Sequence, residues 1–315
     1  MLLNATIGQA PRSDNRAEGG KPLSVDGVCA GEQSWCVEDT PLQPGLYVAA
    51  TPIGNLGDAS ARLLRVLRGA DAVLCEDSRV TGKLLSAFGI EARLQPYHDH
   101  NGASVRPGIL DRLEAGAALA LVSDAGTPLI SDPGYKLVRE ARARGIRIHA
   151  VPGPSAPLTA LSVSGAPTDR FSFHGFLPAK TAARKSALSA LADRQETLLF
   201  FETAPRLASA LADIAESLGS RTVAVARELT KRYEEVVEGD AADLAARFAE
   251  SPTKGEIVLI IHPPAPDAAP SEADIDALLR EALAGHRVKD AASMVAKRTG
   301  LPKRDLYARA LALKP

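Results

Sequence analysis

Aromatic residues make up only 4% of this 315-residue chain, tryptophan occurs once, methionine twice and cysteine three times. Three cysteines without metal-ligand spacing favour neither a disulfide framework nor a zinc site, and Cys75, inside an apolar run, suits a reducing, cytoplasmic setting. No charge sign dominates: 37 basic and 38 acidic residues leave a net charge of -1. Any surface for a polyanion must therefore be a local basic patch. A continuous hydrophobic span is also lacking, so no membrane partner is expected. The turn after the first apolar run is neither G-x-G-x-x-G nor a P-loop, which argues against a dinucleotide or a triphosphate there.

What is present is a soluble, globular balance of 45% hydrophobic and 24% charged residues, with length enough for two domains. Residues 1–44, rich in Gly, Ser, Pro and charge, are expected to be a disordered extension. From there apolar runs alternate with helical patterns. Strands are expected at 46–50, 72–75, 94–97, 118–122 and 146–151, with four amphipathic helices between them. Gly89, Gly116 and Gly145 follow helical stretches as C-terminal caps would. The fold class is thus α/β: an N-terminal domain over 45–160 with a mostly parallel sheet, and a second α/β domain over 161–263. Its expected strands are 171–176, 197–201, 222–226, 234–238 and 257–261, and the separation of 233–238 from 255–262 by only one helix and a short basic turn predicts a mixed sheet. A linker over 264–272 precedes a helical segment, 273–315, whose turns carry Lys303 and Arg304.

The densest signal is Ser123 to Gly134, two acids, two prolines and two glycines just past the fourth strand, where open α/β sheets bind ligands. Other loops on that rim are equally distinctive. Thr51-Pro52-Ile53-Gly54-Asn55-Leu56-Gly57-Asp58 follows the first strand, with Asp58 the expected helix cap. Glu76-Asp77-Ser78-Arg79 follows the second and crowds two carboxylates beside a guanidinium; it reads either as a site or as a capping cluster. His98-Asp99-His100-Asn101 follows the third, and a His pair two apart without a third ligand favours substrate contact over metal. Val151-Pro152-Gly153-Pro154-Ser155-Ala156 follows the fifth, its small residues leaving room for a flat ring. In the second domain, Arg227 to Arg232 is a basic cluster that could face phosphate, solvated loop charge being the plainer reading. Asp132 is given no ligand; a cap on the helix near Tyr135 is the reading for it.

Taken together, these motifs with Lys254-Gly255-Glu256 resemble the ribosomal small subunit methyltransferase I family from Gly45 to the carboxyl terminus. Ser78 stands where that family more often carries threonine, and keeps the hydroxyl. The resemblance implies a tetrapyrrole-methylase-type fold with a cofactor cleft between two α/β domains. It implies S-adenosylmethionine as cofactor, no metal, and 2′-O-methylation of a decoding-centre cytidine in 16S rRNA, free or in the small ribosomal subunit, by a homodimer. Carried over by motif, it places Pro52, Asp124, Thr127, Pro128, Ser155, Ala156, Phe201, Glu202, Gly255, Glu256 and Ile257 against the cofactor. Glu76, Asp77 and Arg79 become the catalytic candidates, a carboxylate to orient or deprotonate the hydroxyl and Arg79 to hold phosphate. His98, His100, Asn101, Lys231, Arg232, Lys303 and Arg304 become the RNA contacts. Two rivals remain at this level: a small-molecule tetrapyrrole methylase, which shares the fold, and a non-catalytic RNA-binding assembly factor.

Overall fold

A computed structural model describes residues 41–264 and 272–313. Most of the expected extension (1–44) and of the expected linker (264–272) lies outside the described residues. The first sheet contains β1 (Gly45–Ala49), β2 (Ala72–Cys75), β3 (Leu94–Pro96), β4 (Ala118–Leu121) and β5 (Ile148–Val151), all parallel, in the order β3-β2-β4-β1-β5. β2 and β4 are uniformly apolar because they are buried on both faces. On one face, α1 (Ala61–Gly69) and α2 (Ser78–Ala87) bring Leu63, Val66, Leu67 and Leu85 onto Val73, Cys75 and Ala120. On the other, α3 (Gly102–Glu114) and α4 (Tyr135–Ala143) bring Ile109, Leu110, Leu137 and Ala141 onto Leu46, Leu74 and Leu119. β1 and β4 are neighbours, yet β1 leads to α1 and β4 to α4, on opposite faces. The chain therefore parts above their carboxyl ends and leaves a crevice at that switch point.

α5 (Ala156–Val163) leads to the second sheet: β6 (Phe171–Phe176), β7 (Thr197–Thr203), β8 (Thr222–Arg227), β9 (Glu235–Asp240) and β10 (Glu256–Ile261), in the order β6-β7-β10-β8-β9. Only β6 and β7 pair in parallel, so this sheet is mixed as expected. Alternation sorts its side chains. Leu198, Phe200, Val225, Leu259 and Ile261 face α6 (Thr181–Ser189), α7 (Leu207–Leu218) and α8 (Ala241–Glu250). Leu199, Ala224, Ala226, Val258 and Ile260 share a second cluster with Ala160 and Leu161 of α5 and with Ile53 from the loop after β1. The loop after β1 of the first domain thus contributes to the packing of the second domain.

The carboxyl-terminal helices α9 (Glu272–Leu283), α10 (Val288–Thr299) and α11 (Lys303–Leu313) enclose their own small core around Leu279, Val295 and Leu306. Asp58 is not the cap of α1 that the sequence predicts. α1 starts at Ala61 with Ser60 as its cap, whose oxygen accepts from the Leu63 N–H at 3.0 Å. Asp58 instead ends a short 3-10 turn capped by Asn55, which takes up the first residues that a helix would have used.

Because Ile53 is 7% exposed and packs in the second-domain cluster, Ile53→Ala should lower unfolding free energy by about 2–4 kcal/mol, read as a lower urea midpoint. An unchanged midpoint would remove Ile53 from the core.

Candidate active site

Hydrogen bonds stitch the loops above the first sheet into one rim. Thr51 and Gly126 form an antiparallel bridge, each N–H donating to the other's carbonyl at 2.9 and 3.1 Å, and the Thr51 hydroxyl donates to the Ser123 carbonyl at 3.1 Å. Gly126 sits at φ +80°, and a Cβ there would lie 3.3 Å from Ile53, so the close approach requires glycine. The Thr127 hydroxyl donates to the Pro154 carbonyl at 3.0 Å, and the Asp77 N–H donates to the Asp124 carboxylate at 3.1 Å. Loops after β1, β2, β4 and β5 are thereby tied together. Leu129 and Ser131, at φ 75° and 66°, hold left-handed conformations that non-glycine residues rarely adopt and that cluster at functional sites.

This rim borders a cavity of about 1020 Å³, closed on the far side by the second domain. Thr127, Ser155 and Ala156 line it from the first-domain side, and Phe201, Glu202, Gly255, Glu256 and Ile257 from β7 and the start of β10. Pro52, Asp124 and Pro128 do not line it. Ile53 takes the wall beside Pro52, Pro128 is buried, and Asp124 is engaged by the Asp77 amide. The Glu202 carboxylate is fully enclosed and accepts from the Thr203 N–H at 2.7 Å and from Arg206 at 3.1 Å. It braces the turn after β7. Ala125, Ile130, Asp132 and Phe176 are lining residues that sequence reasoning missed. Asp132 carried a signal, being the second acid of the Ser123 to Gly134 turn. Phe176 carried none, since a strand-end aromatic looks like core.

A second cavity of about 250 Å³ adjoins the first, lined by Tyr97, His98, Asp99, Arg106, Tyr135 and, again, Asp132. The expected helix cap at Asp132 is not found: the N-cap of α4 is Gly134, with no side-chain capping bond. Burial pushes the Asp132 carboxyl up to about 6, the nearby charges of Glu76 and Asp124 adding to the effect and a Ser123 hydrogen bond opposing it. Burial also raises Glu76, with the fields of Asp124 and Asp99 assisting and that of His98 opposing. Asp77 differs. It is the N-cap of α2, accepts from the Arg79 N–H at 2.8 Å and pairs with the Arg79 guanidinium at 2.6 Å, and these bonds hold its carboxyl at about 2. A carboxylate stabilised that far is a weak base, so Asp77 is a cap and a tether for Arg79.

The nucleic-acid candidates are dispersed. His100 is exposed and meets His98 edge-on, with ring centroids 6.0 Å apart. The Asn101 side chain is used in its own turn, accepting from the His98 N–H at 2.9 Å and donating to the Pro96 carbonyl at 3.0 Å. The basic cluster after β8 is largely neutralised: Lys231 pairs with Glu228 at 2.9 Å and Glu256 at 2.8 Å, and Arg227 with Glu235 at 3.0 Å. Exposed Arg232 lies 5.6 Å from the Tyr233 ring centroid. Lys303 and Arg304 are exposed on the first turn of α11, well separated in sequence from the cleft residues. Among the described residues, no group of three or more His, Cys, Asp or Glu could hold a metal, and no helix is long and apolar enough to cross a membrane.

Residues 45–245 match the family described as Tetrapyrrole (Corrin/Porphyrin) Methylases, and residues 269–314 match the RsmI C-terminal HTH domain. Among solved structures, the methyltransferase CobJ has a TM-score of 0.53 at 18% identity, covering 70% of this chain and 95% of that one. Diphthine synthase has a TM-score of 0.52 at 15% identity, covering 69% and 89%. These two likenesses concern the fold alone. The fold and the family match define a methyltransferase of the tetrapyrrole methylase class, with S-adenosylmethionine as cofactor. Over 274 residues the chain is 52% identical to Ribosomal RNA small subunit methyltransferase I of Erythrobacter litoralis, covering 87% of this chain and 97% of the relative. Identity to the protein of that name from Mesorhizobium japonicum is 49% over 276 residues, covering 87% and 94%, and to that from Escherichia coli O157:H7 46% over 274 residues, covering 85% and 95%. The chain belongs to the ribosomal RNA small subunit methyltransferase I family.

The raised Asp132 carboxyl has a sign that melting temperatures can check. The folded state keeps a proton that an ordinary carboxyl, near pKa 3.9, has lost, so this stabilisation is complete below about pH 4 and is lost as pH rises through about 6. Asparagine cannot ionise. The melting temperature of Asp132→Asn relative to the parent should therefore climb between pH 4 and 6 and level off above; a gap independent of pH would contradict the assignment.

Proposed function

We propose that this protein transfers a methyl group from S-adenosylmethionine to the ribose 2′-hydroxyl of a decoding-centre cytidine in 16S rRNA. The observation that carries the reading is identity at 46–52% along nearly the whole length of relatives named for ribosomal RNA, a match that includes the helical segment. Fold alone does not choose, since tetrapyrrole enzymes share it. The added helices with exposed Lys303 and Arg304 favour a polyanion over a tetrapyrrole.

The large cavity fits the cofactor chemically. Adenosine with a short amino-acid arm wants an apolar slot, a few polar groups and no phosphate cradle. Small residues at Ala125, Gly126 and Ala156 supply the slot, Phe201 a ring face, and Thr127, Ser155 and the second-domain strand ends the polar groups. When bound, the cofactor supplies an electrophilic methyl carbon on a sulfonium. The protein's task is then positioning and handling one proton. In this reading Glu76 helps orient the hydroxyl, Arg79, tethered by Asp77 and 86% exposed, reaches phosphate, and His98 and His100 meet the ribose or base. The domains 45–160 and 161–263 hold the cofactor and 273–315 holds RNA. A cytoplasmic homodimer acting on 16S rRNA or the small subunit completes the proposal.

With methyl-labelled cofactor and small ribosomal subunits, digestion of the RNA to nucleosides should release the label as 2′-O-methylcytidine. Label on a base, or none in RNA, would overturn the reading. Reversing both charges of Lys303 and Arg304 to Glu should weaken RNA binding and cut the log–log salt slope by about 2, as expected for two phosphate contacts. An unaltered slope would free the tail from that role.

A further inference from the structure

We infer that Asp132 is the general base of the methyl transfer, standing at the junction of the cofactor cavity and a smaller cavity that receives the acceptor ribose. The inference rests on the ribose-methylation reading above and gives a chemical part to a residue that neither the motif nor the family match assigns.

Among the described residues, Asp132 alone lines both cavities. A base for this reaction must touch the acceptor oxygen while that oxygen faces the methyl carbon, and a side chain shared by the two chambers meets that demand. At about 250 Å³ the smaller chamber suits a sugar rather than a whole cofactor. Its walls offer hydrogen-bonding groups in Tyr97, His98 and Asp99. Its cation Arg106 is paired with Glu140 at 2.8 Å, so it does not neutralise Asp132 outright, while exposed Lys136 stands at the rim. The His98 Nδ1 is buried without a hydrogen-bond partner, so the ring can change its polar contacts when a ligand enters.

The other acids are engaged or line at most one of the two cavities, as Asp99 lines only the smaller. Asp77 caps α2 and binds Arg79, Asp124 takes the Asp77 amide, Glu202 is held by Arg206, and Glu256 pairs with Lys231. Glu76 lines neither cavity, so its part in orienting the hydroxyl is indirect, through its charge beside Asp132. The backbone leading to Asp132 is set in place: Ser131 is left-handed, and at Gly134, φ +133°, a Cβ would fall 2.8 Å from the Leu121 side chain. Such over-determined turns hold a side chain in one orientation. The groups around the carboxyl are Ser123, Glu76 and Asp124 beside it, His98, Asp99, Arg106 and Lys136 around the smaller chamber, and Glu202, Lys254 and Glu256 across the larger one. Its raised pKa brings the carboxylate nearer the working pH, where a general base is most effective.

The step balances. Asp132 takes the 2′-hydroxyl proton as the oxygen's electron pair forms the bond to the methyl carbon. The carbon–sulfur bond breaks with its pair remaining on sulfur, so a neutral thioether leaves. The carboxylate's negative charge and the sulfonium's positive charge cancel.

The test uses the full chain with S-adenosylmethionine and small ribosomal subunits, comparing the parent, Asp132→Asn and Glu76→Gln. The parent's kcat/KM, which reports groups of the free enzyme, should rise through about pH 6 and plateau. Asp132→Asn should lose about 10²–10⁴-fold in kcat and lose that limb, with KM for the subunit and cofactor Kd changed by no more than a few-fold. Glu76→Gln should keep the limb in whatever activity it retains and move it to lower pH, because one repelling charge is gone. Carboxyl ¹³C NMR of the unliganded protein should show one group titrating near 6 that vanishes in Asp132→Asn. If the parent methylates ribose but Asp132→Asn keeps its kcat and limb, the base assignment falls and the function stands. If the parent places no methyl on ribose, the function reading falls and takes the base with it.

Discussion

The bridge between Thr51 and Gly126 is the contact on which the site depends. It joins the loops after β1 and β4, adjacent strands whose chains depart to helices on opposite faces of the sheet. Left alone, that switch point would be an open notch. Two reciprocal amide bonds close its floor, and a left-handed glycine lets the strands approach where a Cβ would press on Ile53. Ile53 in turn packs in the second domain, so the same loop sets one wall of the large cavity and anchors the opposite one. Geometry at the rim is thus coupled to the stability of both domains.

Electrostatics then divides a crowded set of acids among separate tasks. Glu76, Asp77, Asp124 and Asp132 converge near one rim, and four equivalent carboxylates there would repel one another. Hydrogen bonds from Arg79 and from the amide at the start of α2 keep Asp77 ionised. Asp124 is fixed by an amide and raises the pKa of its neighbours. Asp132 and Glu76 bear the cost of burial and rise. Environments that push similar groups apart in this way are how one site comes to hold both fixed charges and a titrating base.

The fold was legible in sequence because its signals are local: apolar runs of strand length, helical spacing between them, and glycines such as Gly89 and Gly145 at helix ends, both at positive φ. The mixed second sheet was legible from the single helix and short basic turn that separate two of its strands. Less legible was everything set by tertiary partners. Lys231 looked like a phosphate contact because its two carboxylates come from Glu228 close by and from Glu256, 25 residues away. Asn101 reads as a substrate contact from its place at a strand end, and sequence does not show that its amide closes its own turn. Asp132 looked like a helix cap because sequence spacing cannot show that a side chain lies between two cavities.

Cofactor and acceptor should meet across Asp132, and a crystal or cryo-electron microscopy structure with S-adenosylhomocysteine and the small ribosomal subunit decides the matter. The cofactor product is expected against Ser155, Ala156 and Phe201, with a cytidine ribose in the chamber beside His98 and its 2′-oxygen within hydrogen-bond distance of the Asp132 carboxylate. A 2′-oxygen approaching the sulfur from another side, with Asp132 out of reach, would contradict that arrangement.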